Sequence, residues 1–307
     1  MTRVPDMPET NGLRGELRRD EPMVRHTLWR VGGPADRWYR PADTEDLARF
    51  LARLPADEPL FWLGLGSNLL VRDGGLRGTV LTPGRGMDQL QFLEGNRVRA
   101  GAGIGVPRLA RLCADRGLCG LEFLVGIPGT LGGALAMNAG AFGDEIWSRV
   151  ESVLCMDRRG GLHRYDRGAF TASYRHVQGP REGGFVEAVL RLEPGDPEAA
   201  RQRMQALLQR RNRTQPVGVP TCGSAFRNPE GDHAGRLIEA AGLKGLAIGG
   251  AQVSQRHANF IVNTGGARAA DMEALMEEVR RRVRAHHGVD LQPEVCILGE
   301  PAEVCVP

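Results

Sequence analysis

The sequence lacks the features that would indicate a secreted, membrane-bound or metal-binding protein. Its six cysteines are scattered without a CxxC pair, so neither a disulfide scaffold nor a zinc site is predicted, and a reducing cytoplasm is the expected location. The polar N-terminus has no signal-peptide core, and no run approaches the roughly 18 apolar residues that a membrane helix needs. No membrane partner is therefore expected. The seven histidines form no ligand pattern with the cysteines, so we also expect no bound metal.

A strong surplus of charge is also missing. The 40 basic and 37 acidic side chains leave a formal net charge of +3, which is too small to predict nucleic acid as a partner. With 307 residues, 41% of them apolar and 25% charged, the chain has the composition of an ordinary globular protein with a substantial core. We expect a monomer that acts on a small molecule.

Apolar periodicity predicts mixed α+β structure with few long helices. A helix is expected over 43–54, where Asp43 or Thr44 caps and Leu47, Phe50, Leu51 and Leu54 share a face. Further helices are expected over 106–116, over 198–213 and in the last third, where Asp271 should cap a helix that Gly288 ends. Strands are expected at 60–63, 78–81, 90–101, 150–157, 162–166 and 185–193.

Three stretches of the chain are predicted to differ in character. Residues 1–20 are polar and are expected to form a flexible leader. The segment Pro194-Gly195-Asp196-Pro197 has the composition of a linker, so a domain boundary is placed near residue 196. We therefore expect one domain over 21–195, with subdomains of about 21–84 and 85–195, and a second over 196–307.

Two glycine-rich segments, 64–71 and 126–140, could bind a dinucleotide. Backbone N–H groups that no side chain obstructs can converge on pyrophosphate oxygens. Neither segment is a Rossmann fingerprint, because Leu69 stands where the third glycine should be. Tight turns alone would explain one such cluster, but two favour a ligand. The predicted cofactor contacts are Gly64, Leu65, Gly66, Ser67, Asn68, Leu69, Gly126, Ile127, Pro128, Gly129, Thr130, Gly132, Gly133, Ala136, Asn138 and Ala139.

Several motifs, taken together and in order, carry a family resemblance that covers nearly everything after residue 20. They are 64–71, 121–143 and 222–229, accompanied by His26-Thr27, Gly32-Gly33, Tyr174-Arg175, 251–254, 257–260 and Pro293-Glu294-Val295. In these motifs the chain closely resembles the UDP-N-acetylenolpyruvoylglucosamine reductase family. Only residues 176–222 separate the Tyr-Arg motif from the Gly-Ser-Ala-Phe motif, and they contain no tyrosine, so the chain looks like the shorter branch that lacks an inserted tyrosine loop.

The resemblance implies a fold and two cofactors. The fold is α+β, with a two-subdomain vanillyl-alcohol-oxidase-like (PCMH-type) FAD-binding domain followed by a C-terminal α+β substrate-binding domain that begins near residue 196. The cofactors are FAD, held by the two glycine segments, and NADPH as the reductant. Relatives with this fold often tether the flavin through a His or Cys beside the first segment, but residues 64–72 contain neither, so noncovalent FAD is expected.

The resemblance also implies three catalytic residues, Arg175, Ser224 and Glu294. Hydride transfer from flavin N5 to the enolpyruvyl group of a UDP-sugar builds negative charge, which the Arg175 guanidinium would stabilise. Ser224 would protonate the carbanionic carbon, with help from a neighbouring donor. Glu294 would have to share or hold a proton, because an ionised glutamate would repel the substrate carboxylate. Each residue, seen alone, would be an ordinary surface or loop side chain.

Substrate contacts are expected from Tyr174, Arg175, Asn228 and His257, although a lone histidine is more often structural. Two other functions stay open at this stage. One is a flavin oxidase or dehydrogenase of the same fold with a different electron acceptor. The other is a catalytically idle FAD or UDP-sugar sensor, which would be expected to lack Arg175, Ser224 or Glu294, whereas all three are present.

Overall fold

A computed structural model describes residues 12–180 and 183–302 of the chain. These residues fold into two compact units. The first comprises 12–18, 37–65 and 78–210, and the second comprises 19–36, 66–77 and 211–302. Among the described helices, none has both the length and the apolar character needed to cross a lipid bilayer.

Six α-helices are present among the described residues, and the predicted ones are confirmed with small shifts at their ends. Asp43 caps the first helix by accepting a hydrogen bond from the Asp46 backbone N–H at 2.9 Å. The left-handed Gly117 (φ 69°) and Gly288 (φ 71°) follow the second and last helices. The helices are α1 Thr44–Leu51, α2 Val106–Asp115, α3 Leu131–Ala136, α4 Pro197–Thr214, α5 Ala234–Ala240 and α6 Ala269–His287.

The described residues also form 21 strands, numbered here in chain order. They are β1 Glu16–Pro22, β2 Pro34–Arg40, β3 Leu60–Trp62, β4 Leu69–Val71, β5 Leu76–Leu81, β6 Leu90–Leu93, β7 Arg97–Gly101, β8 Leu118–Cys119, β9 Gly140–Ala141, β10 Asp144–Glu145, β11 Val150–Met156, β12 Leu162–Asp166, β13 Thr171–Ser173, β14 His176–Gln178, β15 Gly184–Arg191, β16 Glu193–Pro194, β17 Thr221–Ser224, β18 Ala247–Ile248, β19 Ala251–Val253, β20 Phe260–Asn263 and β21 Cys296–Leu298.

The first unit is organised around an antiparallel sheet of five strands in the order β12-β11-β15-β7-β6. The side chains of α2 and α3 pack with one face of this sheet into a large apolar cluster that includes Leu109, Leu135 and Trp147. Met204 of α4 joins the same cluster, as its helical spacing predicted. A second sheet, β1-β2-β5-β3, contributes its residues 16–18, 37–40, 78–81 and 60–62 to this unit.

The second unit has a four-stranded antiparallel sheet, β17-β20-β19-β18, and a parallel pair, β21-β4. The predicted apolar stripe of α6 lies in its core, with Met272, Leu275 and Val283 fully buried. Trp29 is buried in the same cluster, where its indole N–H donates to the Ile261 carbonyl at 2.8 Å. The mixed helix and strand content of both units is the α+β fold that the sequence predicted.

Two sequence predictions are corrected. Residues 16–20 were assigned to a flexible leader, but they form most of β1, because Leu17 packs on an apolar cluster and Arg14 binds the carboxylate of Asp43 at 2.7 Å. Residues 1–11 of that leader lie outside the described residues. Asp271 was expected to cap α6, but it lies in the first turn, where its carboxylate accepts from the Arg268 backbone N–H at 2.9 Å.

The division into functional domains stays a prediction. The proposed boundary near residue 196 coincides with the start of α4, whereas the boundary between the compact units falls at the other end of this helix, after Arg210. The second unit also includes residues 19–36 and 66–77 from the N-terminal part of the chain. Contacts between segments that are far apart in the chain do not alter the local composition. The linker-like composition of 194–197 was therefore the only sequence feature from which a domain boundary could be predicted.

A buried ion pair in the first unit generates a stability prediction. Arg37 and Glu58 are 2% and 4% exposed, their charged atoms are 2.7 Å apart, and the Thr79 hydroxyl donates to Glu58 at 2.7 Å. Glu58→Ala should lower the free energy of unfolding by about 3–5 kcal/mol, because it removes the carboxylate that compensates a buried guanidinium. Urea titration followed by circular dichroism would measure the loss.

The matched control is Glu45→Ala, which removes an exposed carboxylate paired with Arg49 at 2.6 Å. An exposed pair of this kind contributes less than about 1 kcal/mol, because water screens it. Similar losses for the two variants would contradict the assignment of Arg37 and Glu58 as a buried stabilising pair.

Candidate active site

The first unit contains a cleft of about 80 Å³ that opens to solvent, and residues of both glycine segments line it. Apolar side chains of Trp62, Leu63, Leu81 and Met87 form one part of its wall. Five of the predicted cofactor residues line the cleft, namely Gly64, Thr130, Gly132, Gly133 and Ala136. A mostly apolar cleft that opens to solvent and is lined in part by glycines suits the planar ring of a cofactor.

The two segments meet where α3 begins. Thr130 is the N-cap of α3, with its hydroxyl 3.4 Å from the Gly133 backbone nitrogen. A Cβ at Gly64 would lie 2.6 Å from that hydroxyl, closer than two such atoms can approach without displacement. A glycine at position 64 therefore lets the two segments approach closely without displacing the Thr130 hydroxyl, and it leaves the cleft open beside Thr130.

The backbone donors at the start of α3 are already engaged within the protein. Leu131 donates to Ile104 at 2.9 Å and Gly132 donates to Ala102 at 2.8 Å, while Gly133 has the Thr130 hydroxyl. The prediction that this segment holds pyrophosphate consequently depends on its other N–H groups. The remaining predicted contacts of the first unit do not line the cleft; they are Leu65, Gly126, Ile127, Pro128, Gly129, Asn138 and Ala139.

From Gly66 onward the first glycine segment belongs to the second unit. Gly66 has a left-handed conformation (φ 65°), and a Cβ there would overlap the His26 carbonyl oxygen. The His26 ring itself lies 2.9 Å from the Glu21 carboxylate. Ser67 is half-buried and Leu69 is buried, so only part of this segment presents side chains to a ligand.

Asn68 links this segment to Glu294, which lies two residues before β21. Its side-chain amide donates to the Glu294 carbonyl at 3.0 Å, and its own carbonyl accepts from the Cys296 N–H at 3.0 Å. The pairing continues as β4 runs parallel to β21. Residues that are more than two hundred positions apart in the chain are thereby brought side by side.

Ser224 and Glu294, two of the three predicted catalytic residues, lie close together in the second unit. Ser224 ends β17 opposite Phe260 of β20, after the left-handed Gly223 (φ 85°). The next residue, Ala225, accepts a hydrogen bond from the Glu294 backbone N–H at 2.9 Å. The Glu294 side chain is only 9% exposed, so this carboxyl group belongs to the interior rather than to a solvated strand edge.

Cys222, two residues before Ser224, is buried near Glu294. Burial, followed by the Glu294 carboxylate, raises the pKa of the Cys222 thiol well above its ordinary value. Cys222 therefore stays protonated at neutral pH and behaves as a small apolar side chain of the core.

The two predicted substrate contacts of the second unit are both anchored by the backbone. The Asn228 side-chain oxygen accepts from the Ala234 N–H at 3.1 Å, at the start of α5. His257 accepts from the Asn259 N–H at 3.3 Å through Nδ1. Burial, followed by the positive charge of Lys244, lowers the pKa of His257, so the ring is neutral at pH 7.

Arg175, the third predicted catalytic residue, belongs to the first unit. Tyr174 and Arg175 form the two-residue turn between β13 and β14, since Ser173 pairs with His176. The guanidinium lies 5.0 Å from the Tyr174 ring centroid and donates to the carbonyls of Asn138 and Gly140. Tyr174 is 44% exposed, which leaves its ring accessible to a ligand.

Sequence reasoning assigned no role to Asn259, although this residue belongs to the motif 257–260. Asn259 is 3% exposed, and its side chain holds Phe226 by both backbone groups, accepting from the N–H at 3.0 Å and donating to the carbonyl at 2.8 Å. This clamp fixes the loop that follows Ser224. No periodicity or spacing marks such an asparagine, because its partners are 33 residues away.

Comparison with protein-family models identifies both parts of the chain. Residues 35–166 match the FAD binding domain family, and residues 215–298 match the C-terminal domain of UDP-N-acetylenolpyruvoylglucosamine reductase. The cleft lies largely in the first matched segment, and Ser224, Asn228, His257 and Glu294 lie in the second. The fold and these matches define a flavin-dependent oxidoreductase of the vanillyl-alcohol-oxidase-like type, with FAD as its cofactor.

Individual relatives narrow the class further. A UDP-N-acetylenolpyruvoylglucosamine reductase of Alkalilimnicola ehrlichii is 64% identical over 93% of this chain and 96% of its own length, and that of Methylococcus capsulatus is 57% identical over 94% of each. The crystal structure of the Thermus caldophilus enzyme superimposes with a TM-score of 0.80 at 35% identity, covering 93% of this chain and 99% of that one. The chain belongs to the UDP-N-acetylenolpyruvoylglucosamine reductase family.

The contact between Gly64 and Thr130 predicts an effect on cofactor binding. Gly64→Val should weaken FAD binding by about 10-fold or more, because the added side chain forces Thr130 aside and narrows the cleft. Flavin fluorescence titration of the apoprotein would measure the affinity. Gly168→Ala is the control, since a Cβ there meets nothing within 4 Å; equal affinities for the two variants would contradict this use of Gly64.

The buried His257 predicts a pH dependence of stability. Because the pKa of His257 is lowered from the ordinary value of 6.5, this ring binds a proton below about pH 6.5 in the unfolded chain but stays neutral in the folded protein until the pH reaches the lowered pKa. Unfolding is therefore favoured as the pH falls from 6.5 toward the lowered pKa, by at most about 1.4 kcal/mol per pH unit for one proton. Above pH 6.5 this contribution is absent.

His257→Asn should reduce this acid sensitivity, because the asparagine oxygen can accept from Asn259 without titrating. Urea unfolding of wild type and variant at pH 7.5 and 5.5 provides the measurement. His286→Asn, which removes an exposed histidine of α6, is the control and should leave the pH difference unchanged. An identical pH difference in wild type and His257→Asn would exclude His257 as the source.

Proposed function

We propose that this chain reduces UDP-N-acetylglucosamine enolpyruvate to UDP-N-acetylmuramate in peptidoglycan precursor synthesis, using FAD as cofactor and NADPH as reductant. The observation that carries the proposal is the hydrogen bond from the Glu294 N–H to the Ala225 carbonyl, which joins the Ser224 loop to the segment of Glu294 that Asn68 also holds. The names of the relatives support the same reaction. We further propose that the protein is a monomer and that it is cytoplasmic; the cysteines, which form no CxxC pair, support the second of these.

The residues of the cleft would hold FAD noncovalently. Gly64, Gly132 and Gly133 leave room for it, and the apolar wall of Trp62 and Leu63 would exclude water from one side of a bound ring. When bound, FAD supplies the hydride that reduces the substrate double bond. We also propose that backbone N–H groups of the two glycine segments bind its pyrophosphate. The N–H groups of Leu131, Gly132 and Gly133 are not among them, because they already have acceptors within the protein.

Ser224 would donate the proton that completes the reduction. A serine hydroxyl is a weak acid in water, so the role requires a fixed position and a developing negative charge on the acceptor carbon. The hydrogen bond between Glu294 and Ala225 and the Asn259 clamp supply the fixed position. Glu294, as a buried carboxyl beside this loop, would hold or pass a proton near the substrate carboxylate.

Arg175 would hold the substrate carboxylate. A guanidinium carries its charge at every relevant pH and can donate to both carboxylate oxygens at once. It would thereby stabilise the charge that spreads onto this group during the reaction. Tyr174, Asn228 and His257 would contact other parts of the nucleotide, and at neutral pH His257 would act as a hydrogen-bonding group rather than as a cation.

The two half-reactions test the proposal in one stopped-flow experiment. The flavin absorbance should bleach with NADPH and recover when the enolpyruvyl nucleotide is added under anaerobic conditions. Recovery only with oxygen would instead identify a flavin oxidase, and absence of bleaching or of recovery would favour an idle sensor.

Replacing Ser224 tests the proton donor. Ser224→Ala should leave the reduction by NADPH nearly unchanged and slow reoxidation by the nucleotide by a factor of at least about 10², the usual lower effect of a positioned acid. Thr264→Ala removes an exposed hydroxyl of the same unit and should alter neither rate. Equal slowing of both half-reactions in Ser224→Ala would rule out its role as a specific acid.

A further inference from the structure

Asn138 is the most enclosed polar residue of the second glycine segment. Its side chain is fully buried, and its backbone is left-handed (φ 42°), a conformation that asparagine tolerates better than most residues. The sequence placed it among the cofactor contacts. Full burial and its hydrogen bonds within the first unit point to a different role.

Its side-chain amide connects three separate segments. Nδ2 donates to the Glu145 carboxylate at 2.7 Å and to the Ser173 carbonyl at 3.0 Å, and Oδ1 accepts from the Trp147 N–H at 3.3 Å. Both N–H donors of the amide are therefore used inside the protein. Glu145 belongs to β10, and Ser173 is the last residue of β13.

The second of these bonds ends directly beside the turn that carries Arg175. Arg175 also has a left-handed backbone (φ 53°), which is unfavourable for an arginine and persists only where surrounding contacts impose it. Its guanidinium donates to the Asn138 carbonyl at 3.4 Å and to the Gly140 carbonyl at 3.1 Å. Asn138 thus contacts the Arg175 turn at two points, through its side chain at Ser173 and through its carbonyl at the guanidinium.

We propose that Asn138 is the positioning residue of Arg175: by joining β10 to the end of β13, its side chain imposes the strained turn and thereby aims the guanidinium at the carboxylate of the substrate. The inference rests on the proposed function, in which Arg175 binds that carboxylate. It adds a determinant of substrate specificity, since selection of the substrate carboxylate then depends on a buried neutral amide that does not contact the substrate.

The test measures how strongly the oxidised FAD-bound enzyme prefers a carboxylate. The two probes are UDP-N-acetylmuramate and the same nucleotide with its carboxylate converted to a primary carboxamide, and calorimetry provides both dissociation constants. Wild type should prefer the acid by about 10-fold or more, as expected for hydrogen bonds to a charged group. Arg175→Gln should abolish the preference.

Asn138→Gly deletes the side chain and keeps a residue that accepts the left-handed backbone. It should lose most of the preference although Arg175 is present, and in the double variant Asn138→Gly/Arg175→Gln the two effects should not add, because both remove the same interaction. Asn96→Gly is the matched control. Asn96 is exposed and also left-handed (φ 57°), in the turn between β6 and β7, and its replacement should leave the preference intact.

A second variant separates positioning from general stability. In Asn138→Asp/Glu145→Gln the glutamine can donate to the aspartate, which restores the link to β10, but a carboxylate cannot donate to the Ser173 carbonyl. This protein should retain FAD, recover thermal stability relative to Asn138→Asp, and still lack the preference for the acid. Recovery of the preference together with stability would overturn the inference, as would a wild-type preference in Asn138→Gly.

Failure of the proposed function would look different. Wild type would then bind acid and carboxamide equally, or Arg175→Gln would keep the preference for the acid. Either result would reject the role of Arg175 and, with it, the positioning role of Asn138. If wild type and Arg175→Gln behave as expected while the Asn138 variants retain the preference, the proposed function stands and only the positioning role is rejected.

Discussion

The hydrogen bond between the Asn68 side chain and the Glu294 carbonyl is the contact on which the candidate site of the second unit depends. It joins the end of a glycine segment to the start of β21, and the parallel pairing of β4 with β21 extends the same junction. Glu294 is thereby held where its N–H reaches Ala225. Without this junction, a glycine segment, a serine loop and a buried glutamate would have no common location.

Asparagine side chains hold loop backbone by hydrogen bonds at several places in the described residues. Asn68, Asn138, Asn228 and Asn259 each use the side-chain amide to hold the backbone of a loop that carries a predicted functional residue. A short amide that donates and accepts can replace the missing partners of an irregular backbone without introducing charge. Neutral amide clamps therefore hold the backbone next to several of the predicted site residues.

Much of the local structure was predictable because it depends on neighbouring residues. The apolar stripe of α6, the Asp43 cap of α1, and the glycines after α2 and α6 are visible in the sequence, since helices repeat every few residues and end where a left-handed residue is available. The corrections arise where a distant partner decides. Residues 16–20 look like a polar leader, yet they form a strand because Leu17 finds an apolar cluster and other strands provide hydrogen-bond partners.

The sequence by itself determined four of the six helices of the described residues (α1, α2, α4 and α6), the glycine segments and, through its motifs, the family to which the chain belongs. These depend on short-range periodicity and on residue order, which a linear reading preserves. Only the tertiary structure decided that Asn138 is fully buried, that three N–H groups of α3 already have acceptors, and that Ser224 lies near Glu294. Hydrogen bonds over a few ångströms between residues far apart in the chain depend on how it folds back, and the residue order alone does not contain those distances.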